Sequence, residues 1–324
     1  MDQPTLIQRF NRRFPYPVRL ALIALVGLGL LPLVQASQVY GLLFYHVVTD
    51  PTRSCPMPQL LRTPGLNSQL MDHRARAEKD MRVVARDSEL GIIQVSSLGH
   101  SFWVKDAGDS MNGEALVPYL IAEHLWMGGS NPAESVKPGD TVIDCGAHIG
   151  TFTADALARG ARRVISIEPD ATNLECLRRN FKREIAEKKV ILIPKAAWSE
   201  ETTLKFTISD LNSGMNSAVI RTGTREIEVP ATTIDAIVRE HGIERVDYLK
   251  MDIEGAERHA LRGGMATLKR DRPRMMLEAY HLEDDHEVLP RLLREAHSGY
   301  QEVCGPCERD LRTNSWRPYV LYYR

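Results

Sequence analysis

Two hydrophobic periodicities alternate along the chain. Short runs rich in Val, Ile, Leu and Met are separated by longer stretches whose apolar positions recur every three or four residues. The short runs predict buried strands and the longer ones amphipathic helices. From Lys137 onward the rhythm is regular. Strand TVID (141–144) precedes a helix over about 150–158. RVISIE (163–168) precedes a helix over 171–187, and KVILIP (189–194) follows. LKFTI (204–208) and EIEVP (226–230) resemble an inserted pair. TTIDAIVREHG (232–242) reads as a helix before strand VDYLKMD (246–252). A helix over 256–268 leads to strand RMMLEAY (274–280), and a helix over 285–297 to GYQEV (299–303) and YVLYY (319–323). Such alternation predicts an α/β domain with a mostly parallel sheet covered on both faces. Its ligands belong at the carboxyl ends of the strands, near the point where strand order reverses.

Ahead of that domain the pattern changes. MRVVARD, GIIQVSS and SFWVKD predict three short strands punctuated by Gly91 and Gly99, and ALVPYLIAEHLW (115–126) predicts a helix despite Pro118. Residues 49–80 hold Pro51, Pro56, Pro58 and Pro64 and then the charged run DHRARAEKD, which reads as a linker. Residues 20–34, LALIALVGLGLLPLV, follow an arginine-rich stretch with a local surplus of +3. Fifteen apolar residues span about 22 Å as a helix, short of a ~30 Å hydrocarbon core. The chain stays uncharged to position 48, so a single-pass membrane anchor is expected over 1–48. The alternatives are a signal peptide with Val34-Gln35-Ala36 at its cleavage site, exported after processing, or a buried core helix. The expected organisation is therefore an anchor or signal segment (1–48), a linker (49–80), a small β-rich extension (81–113) and a catalytic domain (114–324).

Composition narrows the function classes. The 324 residues carry 41 Lys and Arg against 42 Asp and Glu, with 43% hydrophobic residues. That is ordinary globular composition. A balanced charge argues against a dedicated nucleic-acid binder, which needs a basic surplus for phosphate. Five cysteines, Cys55, Cys145, Cys176, Cys304 and Cys307, are too scattered for a disulfide scaffold. Cys304-Gly305-Pro306-Cys307 spells a redox motif, but it lies after the sheet pattern instead of opening it. A turn carrying two thiols, cross-linked in an oxidising compartment, suits it better.

The chemistry-bearing residues fall where strands end. After the first parallel strand comes Asp144-Cys145-Gly146-Ala147-His148-Ile149-Gly150-Thr151. Gly146 lets the backbone turn sharply, and Gly150 lets the next helix approach a ligand. The following strand ends in Glu168-Pro169-Asp170, an acid placed to accept hydrogen bonds from ribose hydroxyls. A dinucleotide loop needs G-x-G-x-x-G, and here His148 and Thr151 stand at the second and third glycine positions. The loop suits a cofactor without a pyrophosphate but with a cationic amino-acid end, such as S-adenosylmethionine. A second block, Lys250-Met251-Asp252-Ile253-Glu254-Gly255-Ala256-Glu257, follows a later strand. Asp252 and Glu254 can face the same side, to position an acceptor, take a proton or hold a metal through hard oxygens. Glu257 would begin the next helix. His281, beyond Glu278-Ala279-Tyr280, could deprotonate an acceptor hydroxyl.

Together VKPGDTVIDCGAHIGTFT, ISIEPDATNLECLRRN, VPATTIDAIV and VDYLKMDIEGAERHALRGG resemble the FkbM family of S-adenosylmethionine-dependent methyltransferases, over roughly residues 114–280. The resemblance implies a class I, Rossmann-like fold whose sheet ends in an antiparallel hairpin, supplied by GYQEV and YVLYY. It implies methyl transfer, most often to a hydroxyl of a sugar, polyketide or other small natural product. It places Asp144, Gly146, Ala147, His148 and Gly150 at the methionine end of the cofactor and Glu168 at its ribose. Family members often carry Asn where this chain has His148. The residues alone leave two alternatives: a nucleotide (NAD)-dependent oxidoreductase, and a non-catalytic nucleotide-binding module.

Overall fold

The computed structural model describes residues 54–106, 113–130, 134–209, 212–221, 223–310 and 315–324. The first element is helix α1 (Met57–Asp80), within the stretch expected to be a linker. Its prolines explain the discrepancy. Pro56 and Pro58 fall at the helix start, where a missing N–H costs nothing. Pro64 lies inside, and burial of Leu60, Leu66 and Ala77 offsets the bond it removes. An antiparallel meander follows, β1 (Arg82–Asp87), β2 (Ile92–Ser97) and β3 (His100–Lys105). Ser97 Oγ donates to the Ala77 carbonyl at 2.7 Å and ties it to α1. Helix α2 (Leu116–Ser130) carries Pro118 in its first turn and packs Trp126 and Met127 in one apolar cluster with Leu66 of α1.

The central sheet is built from β4 (Thr141–Cys145), α3 (Thr151–Ala158), β5 (Arg163–Ile167), α4 (Ala171–Asn180), α5 (Lys182–Ala186) and β6 (Val190–Ile193). The helix expected over 171–187 is thus two helices meeting at buried Phe181. An inserted small sheet comes next. In it β7 (Ala196–Ala197) pairs parallel with β9 (Arg225–Thr232), which pairs antiparallel with β8 (Thr202–Ile208). Helix α6 (Ile234–Glu240) starts at Thr233, whose side chain accepts from the Ala236 N–H at 3.0 Å. Strand β10 (Tyr248–Met251) precedes α7 (Glu257–Arg262) and α8 (Met265–Asp271). These two helices, expected as one, break at Gly263-Gly264. A Cβ at Gly263 would lie 2.0 Å from the Trp198 carbonyl oxygen, so only glycine lets the inserted sheet approach.

Strand β11 (Arg274–Glu278), α9 (Asp285–Ala296), β12 (Glu302–Cys304), β13 (Cys307–Asp310), β14 (Ser315–Pro318) and β15 (Val320–Tyr323) complete the chain. The seven-stranded sheet runs β12-β15-β11-β10-β4-β5-β6, with β15 antiparallel to both its neighbours. The expected pairing of the last two sheet strands is present, and β13 and β14 form a separate hairpin between them. Strand β4 is buried at every position, as a strand covered on both faces must be. The order reverses at β4, between β10 and β5, and opens a crevice above their carboxyl ends.

The membrane placement expected from the N-terminal segment is corrected. No helix among the described residues is long and apolar enough to cross a membrane. The stretch 20–48 behind that expectation lies outside the described residues. The reading of Cys304-Gly305-Pro306-Cys307 changes as well. Cys307 pairs with Cys55, 252 positions away, and Cys304 stays a free, half-buried thiol, pushed up to about 12 by burial.

Replacing Cys307 by Ala should cost about 2–4 kcal/mol, read by urea unfolding of the oxidised proteins. With a reductant present, variant and parent should unfold together; a gap that persists would mean the loss comes from packing.

Candidate active site

The turn after β4 begins with Gly146 at φ +77°. Its N–H and that of Ala147 both donate to the Ile167 carbonyl, each at 3.0 Å, folding the turn back over β5. A Cβ on Gly146 would stand 1.8 Å from the Asp252 carbonyl oxygen. Gly150, at φ +92°, caps α3, and a Cβ there would meet the Phe181 ring at 2.1 Å. Between them His148 takes the left-handed conformation, φ +51°, which His tolerates better than branched residues. Its N–H donates to Glu168 Oε2 at 2.9 Å, and its Nε2 meets Ser213 Oγ at 2.8 Å. Burial lowers the imidazole to about 4, so it is neutral at physiological pH.

Glu168, just beyond β5, is 5% exposed. Besides the His148 N–H it accepts from the Asp170 N–H at 2.9 Å. Asn173 Nδ2 donates to the same oxygen, Oε1, at 3.4 Å. A carboxylate has about two acceptor directions on each oxygen, so free capacity remains on Oε2, which holds only the His148 N–H. Burial, followed by the charge of Asp170, pushes its pKa up to about 7.

Asp144 does not line the crevice. It is fully buried in β4, accepts from Thr153 Oγ1 at 2.7 Å and stands 3.4 Å from Lys250 Nζ. Lys250 is the site's main residue that sequence reasoning passed over. It lies in the middle of the sheet, 4% exposed, and donates to the Gly146 carbonyl at 2.8 Å. Its other neighbour is Asp252 Oδ2 at 3.6 Å. Burial opposes its charge, but Asp144 and Asp252 outweigh burial and raise its pKa. The available signal was a single charge inside an apolar strand, which must be paired if buried.

The second block surrounds His281. Glu254 sits in a turn at φ +53°, followed by Gly255 at φ +92°. Asp252 is the more exposed carboxylate, its side chain 32% accessible against 13% for Glu254. Burial raises Asp252, but Lys250 and His281 together bring it below the usual range; burial pushes Glu254 up to about 7. Glu257 is fully buried and accepts from the Ile253 N–H at 2.9 Å and from His281 Nδ1 at 3.0 Å. His281 Nε2 faces Glu254 at 3.6 Å and Asp252 and Glu278 at 3.8 Å each. Burial would lower His281, yet these carboxylates raise it well above the usual histidine range. An imidazole holding its proton so firmly is a poor base, and the side chain lies behind Asp252 and Glu254.

One crevice collects both blocks. It encloses about 920 Å³, its open mouth included, and is lined by Gly146, Ala147, His148, Glu168, Asp252, Glu254 and Glu278. Gly150 and His281 are not in that lining. Ile167, Pro169, Ala196, Ala197 and Phe206 form an apolar section, and Glu123 and His124 of α2 close the opposite side. Ser213 and Asn216 reach in from the insertion. Sequence patterning pointed to none of these last four, because α2 and the insertion lie far in sequence from the strand ends.

Sheet order, the antiparallel β15 and a crevice at the reversal of strand order define a Rossmann-like α/β fold. Residues 144–301 match the family model of the methyltransferase FkbM domain. Similar solved structures include FkbM methyltransferase from Methylobacillus flagellatus KT, at 16% identity and TM-score 0.43, covering 82% of this chain and 59% of that one. This chain therefore spans less than two thirds of that protein's length. Precorrin-6y C5,15-methyltransferase from Geobacter metallireducens GS-15 matches at 13% identity and TM-score 0.37, over 61% of this chain and 85% of that one. An rRNA methylase from Streptococcus thermophilus matches at 13% identity and TM-score 0.38, over 62% of this chain and 95% of that one. No curated protein matches the chain in sequence.

Substituting Gly146 by Ala should destabilise the fold by on the order of 3 kcal/mol or more, since it combines an unfavourable φ with a backbone collision. Thermal unfolding measures it, and a variant as stable as the parent would show that the turn is not held against Asp252.

Proposed function

We propose that the chain transfers a methyl group from S-adenosylmethionine to a hydroxyl oxygen of a small molecule, of the sugar, polyketide or natural-product class. The observation that carries this reading is that Glu168 and the Gly146–His148 turn border the same crevice as Asp252 and Glu254. A nucleoside with an amino-acid end fits the residues present. Glu168 Oε2 has free acceptor capacity for a ribose hydroxyl, a second could replace the long 3.4 Å contact from Asn173 at Oε1, and the charge would repel a 2′-phosphate. The section formed by Ile167, Pro169, Ala197 and Phe206 suits a purine, and Gly146 leaves backbone rather than a side chain at the methionine end. When bound, S-adenosylmethionine supplies an electrophilic sulfonium methyl. The chain's own residues position the reactants and exclude water. Asp252 and Glu254 orient the acceptor hydroxyl and receive its proton. Asp144 supports the site from beneath through Lys250, and His281 supports Asp252 and Glu254 from behind. The NAD-dependent alternative is disfavoured because His148 and Thr151 stand where close approach to a pyrophosphate needs glycine.

Calorimetric titration with S-adenosylhomocysteine and with NAD separates the two, since only the first should bind. Glu168→Ala should weaken S-adenosylhomocysteine by about 1–3 kcal/mol; unchanged affinity in a folded variant would remove Glu168 from the site.

The same titration against pH carries a sign. A carboxyl that titrates near 7 must lose its proton to accept from the ribose as a charged group, so affinity should climb as pH rises through about 7 and then level off. In the ligand-free protein the shift acts oppositely. Its contribution to stability is full below the ordinary glutamate pKa and is lost as pH rises through about 7.

Asp252→Asn should slow methyl transfer to a screened hydroxylated acceptor far more than it weakens S-adenosylhomocysteine. The reverse pattern would reassign Asp252 to holding the cofactor.

A further inference from the structure

Three side chains at the carboxyl ends of β10 and β11 have more donor capacity than the protein uses. One ligand atom each from Asp252, Glu278 and His281 falls within 4.8 Å of the other two. The His281 and Glu278 side chains are each 2% exposed. His281 Nε2 and Glu278 Oε2 are buried without a hydrogen-bond partner, and they face one another at 3.8 Å. Asp252 Oδ1 lies 3.8 Å from the same imidazole nitrogen. Buried polar atoms are normally satisfied, and leaving them unpaired costs free energy. Carboxylates held this close to one another also repel.

We propose that Asp252, Glu278 and His281 bind one divalent transition-metal ion of the Mn²⁺ or Zn²⁺ class. Such an ion takes nitrogen and carboxylate oxygen donors at about 2.0–2.2 Å, which atoms standing roughly 4 Å apart can provide around a common centre. The imidazole argues against Mg²⁺ and Ca²⁺, which prefer all-oxygen surroundings. The second observation is the far side of the ring. Glu257 accepts from His281 Nδ1 at 3.0 Å and is itself held by the Ile253 N–H at 2.9 Å. A carboxylate at Nδ1 keeps a proton there, so an incoming cation displaces only the Nε2 proton and takes the nitrogen that faces Asp252 and Glu278. This carboxylate–histidine pairing is the usual support of a metal-bound imidazole. Among the described residues the other cluster of this kind, Cys55, Cys304 and Cys307, has two of its sulfurs in a disulfide. Because Asp252 and Glu278 line the crevice, the remaining coordination positions face the acceptor wall. An acceptor oxygen bound there would be held beside Glu254. That role rests on the hydroxyl-methylation reading, whereas binding of the ion does not.

The test uses the full chain, stripped with a chelator and re-dialysed. Titration with Mn²⁺, followed by loss of the free-ion electron paramagnetic resonance signal, and metal analysis after Zn²⁺ loading should both show one ion per chain. Glu257→Gln should weaken binding by about 10–100-fold, His281→Gln and Glu278→Gln should weaken it more, and Cys304→Ser should leave it unchanged. S-adenosylhomocysteine affinity, measured on every variant, reports that each is folded. Parent protein that binds S-adenosylhomocysteine but retains no stoichiometric Mn²⁺ or Zn²⁺ would overturn the proposal, as would a folded His281→Gln that binds like the parent. Should His281→Gln not fold, the parent stoichiometry and Glu257→Gln decide. An ion bound without any affinity for S-adenosylhomocysteine would sink the cofactor reading and leave the metal site standing.

Discussion

A lysine ammonium in the middle of a sheet cannot stay charged unless anions and carbonyls surround it. Lys250 meets that demand with Asp144 from the neighbouring strand, Asp252 from the end of its own, and the Gly146 carbonyl between them. The three contacts fix three things at once: the turn after β4, the end of β10 and the width of the gap above them. Removing either carboxylate would leave a buried charge short of a partner, so the site geometry and the integrity of the sheet centre are one constraint. Gly146 belongs to the same arrangement. The turn comes so close to the Asp252 carbonyl that no side chain fits between them.

On the cofactor wall, backbone does most of the positioning. Glu168 is oriented by the N–H groups of His148 and Asp170, and His148 is itself fixed by a left-handed backbone and by Ser213. The opposite wall is held by side chains. Asp252, Glu254, Glu257 and Glu278 gather around His281, Glu123 adds its charge beside Asp252, and burial raises Glu123, Glu254 and Glu278. The first wall is thus a set of rigid dipoles. The second carries an excess of negative charge that protons or a cation must answer.

Much of this was legible in the chain. The mostly parallel sheet covered on both faces follows from the strand–helix alternation, and the turn around Gly146 and the acid at Glu168 follow from residues placed just beyond strand ends. Contacts across long sequence distances were not legible. Ser213 and Asn216 enter through an insertion whose flanking strands were evident but whose connecting turn carries no periodic signal. Glu123 and His124 sit on a helix that reads as ordinary apolar packing. Asp144 looked like a ligand because it precedes the glycine turn, yet strand alternation points it under the turn, toward Thr153 and Lys250. Residues 57–80 were misread for a related reason: charge and proline dominate their composition, while the few apolar positions that hold the helix are widely spaced.

The bond between Cys55 and Cys307 joins the segment just before α1 to the hairpin of β13 and β14. Every strand from β1 to β12 lies on the closed loop this creates. A protease that nicks a surface turn within the loop would therefore open a ring rather than cut a string. Both pieces would stay covalently joined, and they would separate on a gel only after the sulfurs are reduced.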